Sequence, residues 1–112
     1  MIWFDLDNSP HVPLFRPILK ELGQRDCAVE VTARDFAQTS SLLKFWEIPH
    51  TLIGKHAGKN KIKKLLNVIT RSCQLLDYIK GKEISLAVSH GSRTQVMAAW
   101  RAGIPSVVMM DY

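Results

Sequence analysis

The chain alternates almost from end to end between short apolar runs and longer stretches whose apolar residues recur at helical spacing. The predicted strands are residues 1–6, 27–32, 50–53, 84–88 and 104–110. The predicted helices are residues 13–23, 34–46, 62–80 and 91–102. Strands connected through helices pair in parallel, and right-handed connections place the helices on both faces of the sheet. The alternation therefore predicts an α/β domain of Rossmann-like type, with a doubly wound, five-stranded parallel sheet in three layers, α/β/α.

The length and composition are typical of one globular domain spanning residues 1–112. Of the 112 residues, 46% are hydrophobic and 22% are charged, which suffices for one modest core. No apolar run approaches the ~20 residues that cross a bilayer, and the early acid at position 5 argues against a signal peptide. Cys27 and Cys73 lack metal-ligand spacing, so no metal site is predicted, and they are expected to be reduced, buried thiols of a cytoplasmic protein. Three tryptophans are assigned to packing: Trp3, Trp46 and Trp100.

In open parallel sheets, ligands bind beyond the carboxyl ends of the strands. This rule selects three loops, at residues 5–11, 54–60 and 89–94. The middle loop carries Lys55 and His56, and five lysines between Lys55 and Lys64 dominate the net charge of +5. Such a basic loop can cover a diphosphate or an anionic lipid acceptor, or it can simply face water. Because lysines oppose the dipole at a helix start, their position favours an anionic partner.

Polar groups are dense after the first predicted strand. Asp7 and His11 are candidate catalytic residues, since either can act as a general base, and His11 can instead contact a phosphate. Ser9, between them, is a candidate substrate-binding residue. The structural alternative is a tight turn in which Asp7 or Asn8 binds backbone amides. Asp5 lies within the apolar strand itself, where a carboxylate needs either a partner or a function.

The loop after the fourth predicted strand has the composition of an anion site. Gly91 permits a close backbone turn, and the free amides at the start of the following helix attract negative charge. Ser92 adds a hydroxyl, and Arg93 adds a fork of donors for a phosphate or carboxylate. In the structural alternative, Ser92 is only an N-cap and Arg93 is a solvated side chain.

Four separated segments form a recognisable set: residues 2–12, 32–36, 53–56 and 89–93. In this order they resemble the DUF354 family of archaeal and bacterial proteins, and the resemblance extends over nearly the whole chain. That family is similar to the GT-B glycosyltransferases and to the UDP-N-acetylglucosamine 2-epimerases. Proteins of this kind have two Rossmann-like domains, with the active site in the cleft between them.

The resemblance implies that the chain is the N-terminal, acceptor-side domain of a GT-B-like glycosyltransferase or an epimerase-like protein. The second domain, which binds most of the nucleotide-sugar donor, is then absent, and the chain is expected to be inactive or nearly so alone. His11, His90 and Arg93 would face the cleft, with the loop of Lys55 and His56 at its rim. No cofactor beyond the nucleotide-sugar donor is implied. The implied partners are a nucleotide sugar, a sugar or polyprenyl acceptor, the missing domain or a second copy of the chain, and a membrane surface.

Two other functions stay open at this stage, so the chain is not assigned as an enzyme from its sequence. Asp5 and Asp7 imitate the haloacid dehalogenase signature, in which Asp5 would be the nucleophile and Asp7 the acid–base group of a magnesium-dependent phosphatase. Ser89 would fill the second motif, but no acidic pair follows on a further strand. The other alternative is a non-enzymatic binding or assembly module with an unpaired apolar face. Nucleic-acid binding ranks last, because the lysines lack interleaved aromatic residues.

Overall fold

A computed structural model describes residues 1–55 and 59–110 of the protein, with Ala37 described through its backbone alone. Five strands and four helices alternate along these two ranges. The strands are β1 (Ile2–Leu6), β2 (Val29–Asp35), β3 (Thr51–Lys55), β4 (Leu86–Ser89) and β5 (Ser106–Val108). The helices are α1 (His11–Gln24), α2 (Ala37–Phe45), α3 (Lys61–Ile79) and α4 (Arg93–Ala102). None of these four helices has the length and apolar character needed to cross a bilayer.

The strands form one sheet in the order β3-β2-β1-β4-β5, and every neighbouring pair is parallel. From β1 the chain moves outward to β2 and β3 on one side, and then returns to add β4 and β5 on the other side. The predicted doubly wound, Rossmann-like sheet is therefore confirmed. Right-handed crossovers that run in opposite directions along a parallel sheet lie on opposite faces, so α1 and α2 cover one core and α3 and α4 cover a second.

The alternation of side chains along β1 divides the domain into these two cores. Phe4 and Leu6 point to the face covered by α1 and α2, where the ring of Phe4 meets Phe15 edge to face at 5.4 Å between centroids. Trp3 points to the other face, where it belongs to a cluster with Leu75 of α3 and with Ala98 and Ala99 of α4. By the same period of two, Asp5 points into the α3–α4 layer.

Asp5 is fully buried, and so is the partner that its burial requires. Arg71 of α3 forms a two-pronged ion pair with it, in which Nη1 donates to Oδ2 and Nη2 donates to Oδ1, both over 2.7 Å. Thr32 of β2 donates a third hydrogen bond to the carboxylate over 2.8 Å, and Ser92 donates a fourth. The buried carboxylate of Asp5 therefore has the partners that the sequence analysis required, and it is the charged centre of one core layer.

The ion pair also keeps Arg71 charged. Burial alone lowers the pKa of a guanidinium, but the hydrogen bonds and charge of Asp5, with a smaller contribution from the charge of Asp7, raise the pKa of Arg71 above its ordinary value. The remaining donors of Arg71 bind the carbonyl of Ile53 in β3 and the hydroxyl of Thr94 in α4. One side chain thus connects β1, β3, α3 and α4.

The stem of Arg71 passes directly over Gly54. An added Cβ at position 54 would lie 2.8 Å from Cδ of Arg71, and the φ angle of Gly54 is +81°. Both the space and the backbone conformation therefore require glycine here.

Several element boundaries differ from those predicted. Helix α1 begins at His11 instead of Pro13. The backbone amides of the first helical turn have no hydrogen-bond partner within the helix, so proline, which lacks an amide hydrogen, is accommodated there. Helix α4 begins at Arg93, since the preceding Ser92 is its N-cap. Strand β2 begins two residues later than predicted and extends to Asp35, because it has a partner strand on both sides.

The prediction of two buried thiols is wrong. Cys27 is half-buried, and Cys73 is exposed because it follows Ile69 by one helical turn on the face of α3 that turns away from the sheet. Trp3 is buried as predicted, but Trp100 is 79% exposed. Trp100 directly follows Ala98 and Ala99, which are buried against the sheet. The next residue of a helix is rotated by about 100°, which turns the side chain of Trp100 out of the interface.

We predict that Asp5→Asn destabilises the protein by about 3–5 kcal/mol, because it leaves the guanidinium of Arg71 buried without a counter-charge. Urea unfolding measures this cost. The matched control is Glu21→Gln, which removes an exposed ion pair with Arg25, 2.9 Å long, and should cost less than about 1 kcal/mol. Equal costs for the two variants would contradict the role assigned to the buried pair.

We predict that Gly54→Ala is more destabilising than Gly103→Ala. Both glycines have positive φ angles, +81° and +73°, but only at Gly54 does an added Cβ meet another side chain. Gly103→Ala should cost about 1–2 kcal/mol from backbone conformation, and Gly54→Ala about 1–3 kcal/mol more from the clash. The free energies of unfolding of the two variants test this difference, and indistinguishable values would refute it.

Candidate functional site

The carboxyl ends of β1 and β4 lie side by side in the middle of the sheet. Asp5 of β1 is the register partner of Ser89 of β4, so the loops that follow the two strands leave the sheet at the same height. From this point the chain turns toward β2 after one strand and toward β5 after the other. This is the switch point of a doubly wound sheet, where its ligand crevice is expected. Two of the three loops selected from the sequence therefore meet here.

Two histidines from these loops come together. His11, the first residue of α1, is 9% exposed, and its ring centroid lies 5.0 Å from that of the half-buried His90. The backbone amide of Asn8 donates to Nδ1 of His11 over 3.2 Å, and the amide of His11 donates back to the carbonyl of Asn8. Because Nδ1 accepts a hydrogen bond, the neutral ring carries its proton on Nε2 and is a donor there.

Asp7 and Arg34 form a second polar pair, where the neighbouring strands β1 and β2 end. Nη2 of Arg34 lies 2.8 Å from Oδ1 of Asp7, and both side chains are at least three-quarters buried. The contact has the distance of an ion pair but not the angle of a hydrogen bond, so within residues 1–55 and 59–110 neither Oδ1 of Asp7 nor Nε of Arg34 has a hydrogen-bond partner. Buried polar atoms of this kind are uncommon and are often completed by water or a ligand.

The remainder of the first loop is a turn. The side-chain oxygen of Asn8 accepts a hydrogen bond from the amide of Ser9 over 2.9 Å, which agrees with the structural alternative for this segment. The hydroxyl of Ser9 is half-buried and lies 3.5 Å from the side-chain oxygen of Gln38 in α2. Ser9 therefore lies on the α2 side of the crevice.

The loop after β4 separates its predicted site residues into an inner and an outer set. The hydroxyl of Ser92 is fully buried, accepts from the amide of Gln95 over 3.3 Å as the N-cap of α4, and donates to Asp5. It is therefore used within the fold instead of facing the crevice. Gly91, with a φ angle of +72°, and Arg93 are exposed at the start of α4, where the helix dipole favours an anion.

Lys55, from the third loop selected from the sequence, does not lie beside the histidines. Lys55 is exposed at the end of β3, and β2 lies between β3 and β1 in the sheet. The side-chain amide of Asn67 in α3 donates a hydrogen bond to the backbone carbonyl of Lys55 over 3.1 Å. His56, the other predicted residue of this loop, lies outside the described residues. Lys55 is therefore separated by a whole strand from the loop that carries His11.

Sequence reasoning did not identify Arg34 or Arg71. For Arg71 a signal existed, because it falls one helical turn before Leu75 on the buried face of α3, where an arginine is out of place unless it is paired. A carboxylate inside the first strand required such a cation. Arg34, near the end of β2, lies in one of the segments that carry the family resemblance, residues 32–36, but nothing in the sequence pairs it with Asp7.

The sheet order and the helices on both faces define a Rossmann-like domain of the kind that forms the N-terminal part of GT-B proteins. The chain belongs to the family described as "Protein of unknown function (DUF354)", whose model matches residues 1–112. An uncharacterized protein of Methanocaldococcus jannaschii is 26% identical over 110 residues, covering 98% of this chain and 32% of that protein. The chain thus spans about a third of the length of this relative.

Solved structures show the same fold. Acinetobacter baumannii MurG superposes with a TM-score of 0.78 at 19% identity, covering 97% of this chain and 34% of MurG. The UDP-GlcNAc 2-epimerase from Neisseria meningitidis, bound to UDP-GlcNAc, gives 0.75 at 16% identity, covering 96% of this chain and 31% of the epimerase. The glycosyltransferase VinC, in complex with dTDP, gives 0.75 at 12% identity, covering 97% of this chain and 34% of VinC. The resemblance to GT-B proteins and to these epimerases, predicted from the sequence, is confirmed at the level of the fold.

We predict that Ser92→Ala destabilises the protein by about 2–3 kcal/mol, because it removes both the N-cap of α4 and one hydrogen bond to the buried carboxylate. Asn60→Ala is the matched control, since Asn60 caps the exposed start of α3 and should cost only about 1 kcal/mol. Thermal or urea unfolding of both variants tests the difference. A Ser92→Ala variant no less stable than Asn60→Ala would show that the bond to Asp5 contributes nothing.

Proposed function

We propose that the chain forms the acceptor-side part of a GT-B-like glycosyltransferase or of an epimerase-like enzyme that acts on nucleotide sugars. The support is its membership of DUF354, its fold, and the polar side chains that meet at the switch point. In this proposal a second domain, supplied by the remainder of the protein or by another copy, binds most of the donor. A cytoplasmic location stays a prediction.

The observation that carries the proposal is the meeting of His11 and His90. They lie 79 positions apart in the chain (90 − 11), yet their rings are 5.0 Å apart at the carboxyl edge of the two central strands. At the same end of the sheet, Oδ1 of Asp7 and Nε of Arg34 lack hydrogen-bond partners among the described residues. Buried polar atoms without partners are uncommon in folded proteins, and a polar ligand bound here would supply the missing hydrogen bonds.

The geometry suggests different roles for the two candidate catalytic residues. With its Nδ1 occupied by the amide of Asn8, neutral His11 donates from Nε2 and can bind an oxygen of the acceptor or of a phosphate. Asp7 then supplies the carboxylate that takes the proton of an acceptor hydroxyl as its oxygen attacks the anomeric carbon and the nucleotide leaves. His90 lines the same crevice.

The start of α4 supports the leaving nucleotide in this proposal. Gly91 and Arg93 are exposed at the start of this helix, and a helix N-terminus attracts the negative charge that develops on a departing diphosphate. The hydroxyl of Ser92 takes no part, since it is bound to Asp5. Lys55 lies at the end of β3 and belongs to the rim. Ser9 borders the crevice on the α2 side.

The phosphatase alternative fits the geometry poorly. A nucleophilic aspartate must reach its substrate, but Asp5 is fully buried and both of its oxygens are held by Arg71. The assembly-module alternative has one observation in its favour. Val107 and Val108 of the edge strand β5, with Met110 after it, expose between 39% and 74% of their surface, as an edge that pairs with further structure would.

We predict that His11→Asn, made in the full-length protein, lowers kcat for release of nucleotide from a nucleotide sugar by about 100-fold or more. The assay is chromatographic detection of the released nucleotide with uridine- and thymidine-diphosphate sugars in the presence of candidate acceptors. Unfolding of the variant should stay close to that of the unmodified protein.

His50→Asn is the control for this assay. His50 is half-buried just before β3, at the opposite edge of the sheet, and contacts the carbonyl of Ile48 over 2.7 Å. It should leave kcat unchanged. Equal losses in both variants, or full activity of His11→Asn, would refute the proposed role of the crevice.

A further inference from the structure

The first half of α3 presents apolar side chains to solvent. Ile62, Leu65, Leu66 and Ile69 are 72%, 64%, 57% and 49% exposed, and we call these four residues the α3 apolar stripe. Their spacing of three and four residues places them on one face of the helix. That face is distinct from the one that carries Leu75 into the core. Four adjacent exposed aliphatic side chains on one helix are typical of a surface that binds something.

The apolar surface continues from α3 onto α4. Ile69 and Cys73 of α3 and Met97 and Trp100 of α4 line a shallow groove of about 290 Å³. Met97 and Trp100 are 46% and 79% exposed. Because α3 and α4 pack side by side, the stripe and the groove form one apolar surface on the same layer of the domain.

Lysines surround the start of this surface. No acidic residue occurs between Glu47 and Asp77, a segment that contains five lysines: Lys55, Lys59, Lys61, Lys63 and Lys64. In the part of the chain that the structure describes, none of these lysines belongs to an ion pair. At 100° per residue, Lys61 and Lys63 lie on opposite sides of the stripe. The positive charge of Lys61 and Lys63 is therefore uncompensated and lies along both borders of the α3 apolar stripe.

The start of α3 is well formed despite this charge. The side chain of Asn60 accepts hydrogen bonds from the amides of Ile62 and Lys63, over 2.9 and 3.3 Å. The lysines nevertheless lie at the positive end of the helix dipole, so bound anions would relieve an unfavourable arrangement. Helix α3 thus carries an exposed apolar stripe next to lysines that bound anions would stabilise.

We propose that the first half of α3 docks the protein on the surface of an anionic phospholipid bilayer, with the helix lying in the plane of the interface. The stripe enters the boundary of the acyl chains, and the flanking lysines contact the headgroup phosphates. A nucleic acid would match the charge but would leave the stripe in water. An apolar protein surface would match the stripe but would bury the lysines without counter-charges.

The docking surface lies close to the candidate site. Helix α3 starts just after the carboxyl end of β3, on the same edge of the sheet as the loops that hold His11 and His90. If the proposed function is correct, docking brings the acceptor side of the crevice to the bilayer, so that a lipid-linked acceptor reaches it directly. This last step rests on the proposed function, whereas docking itself does not.

The test is sedimentation of the full-length protein with vesicles of phosphatidylcholine alone and of equal parts phosphatidylcholine and phosphatidylglycerol. We expect binding to the anionic vesicles, weakened by salt, and about tenfold or more weaker binding to the neutral ones. Lys61→Glu with Lys63→Glu, and separately Leu65→Gln with Leu66→Gln, should each weaken binding to anionic vesicles about tenfold or more.

Two matched double variants are the controls, both on the opposite layer of the domain. Lys20→Glu with Lys44→Glu changes the same charge on α1 and α2, and Leu14→Gln with Phe45→Gln removes two other exposed apolar side chains. Both should bind like the unmodified protein. Circular dichroism checks that all four variants are folded.

Three results would overturn the proposal. They are equal binding to neutral and anionic vesicles, the same loss in the control variants, and lysine-dependent binding of RNA with none to vesicles. The outcome is independent of catalysis, because His11→Asn should dock normally. Docking without activity would refute the proposed function alone, and activity without docking would refute this inference alone.

Discussion

A single buried charge pair organises the domain. Asp5 lies in the central strand, and Arg71 reaches it from α3 while also binding the carbonyl of Ile53 and the hydroxyl of Thr94. A buried carboxylate without a counter-charge is among the most unfavourable features a core can contain, so each of these partners must be in place for the sheet to close. The pair therefore specifies which helix covers which strands. The glycine at position 54 follows from the same requirement, because any side chain there would displace the arginine.

Most of the architecture was predictable because it depends on periodicity, which is local. Apolar runs separated by amphipathic stretches allow few arrangements other than a parallel sheet with helices on both faces, and the order β3-β2-β1-β4-β5 is one of them. The boundaries were less predictable, since they depend on single contacts. Helix α4 starts where Ser92 caps it, and β2 extends to Asp35 because it pairs on both sides. The exposure of Cys73 and Trp100 depends on how the helices rotate against the sheet, which hydrophobicity alone does not determine.

The candidate site was predictable in position but not in its internal organisation. The rule on carboxyl ends selected the loops that carry His11 and His90, and the structure places their rings 5.0 Å apart. The same rule could not tell which polar groups face inward. Ser92 binds Asp5, and Arg34 pairs with Asp7, a pairing that the family segment at residues 32–36 does not indicate. Which polar groups face inward depends on contacts between residues that are distant in the chain, so it can be read from the folded structure but not from the sequence pattern.

The distance along the chain between Asp5 and Arg71 has a consequence for biosynthesis. The two residues are separated by 66 positions, and Ser92, a further partner of the carboxylate, lies 87 positions from it. A ribosome therefore releases β1, β2 and β3 well before the groups that neutralise their central carboxylate. Until α3 and α4 emerge, a compact arrangement of these three strands would bury Asp5 without a counter-charge. The first half of the domain is thus expected to stay open during translation and to close in one late, cooperative step.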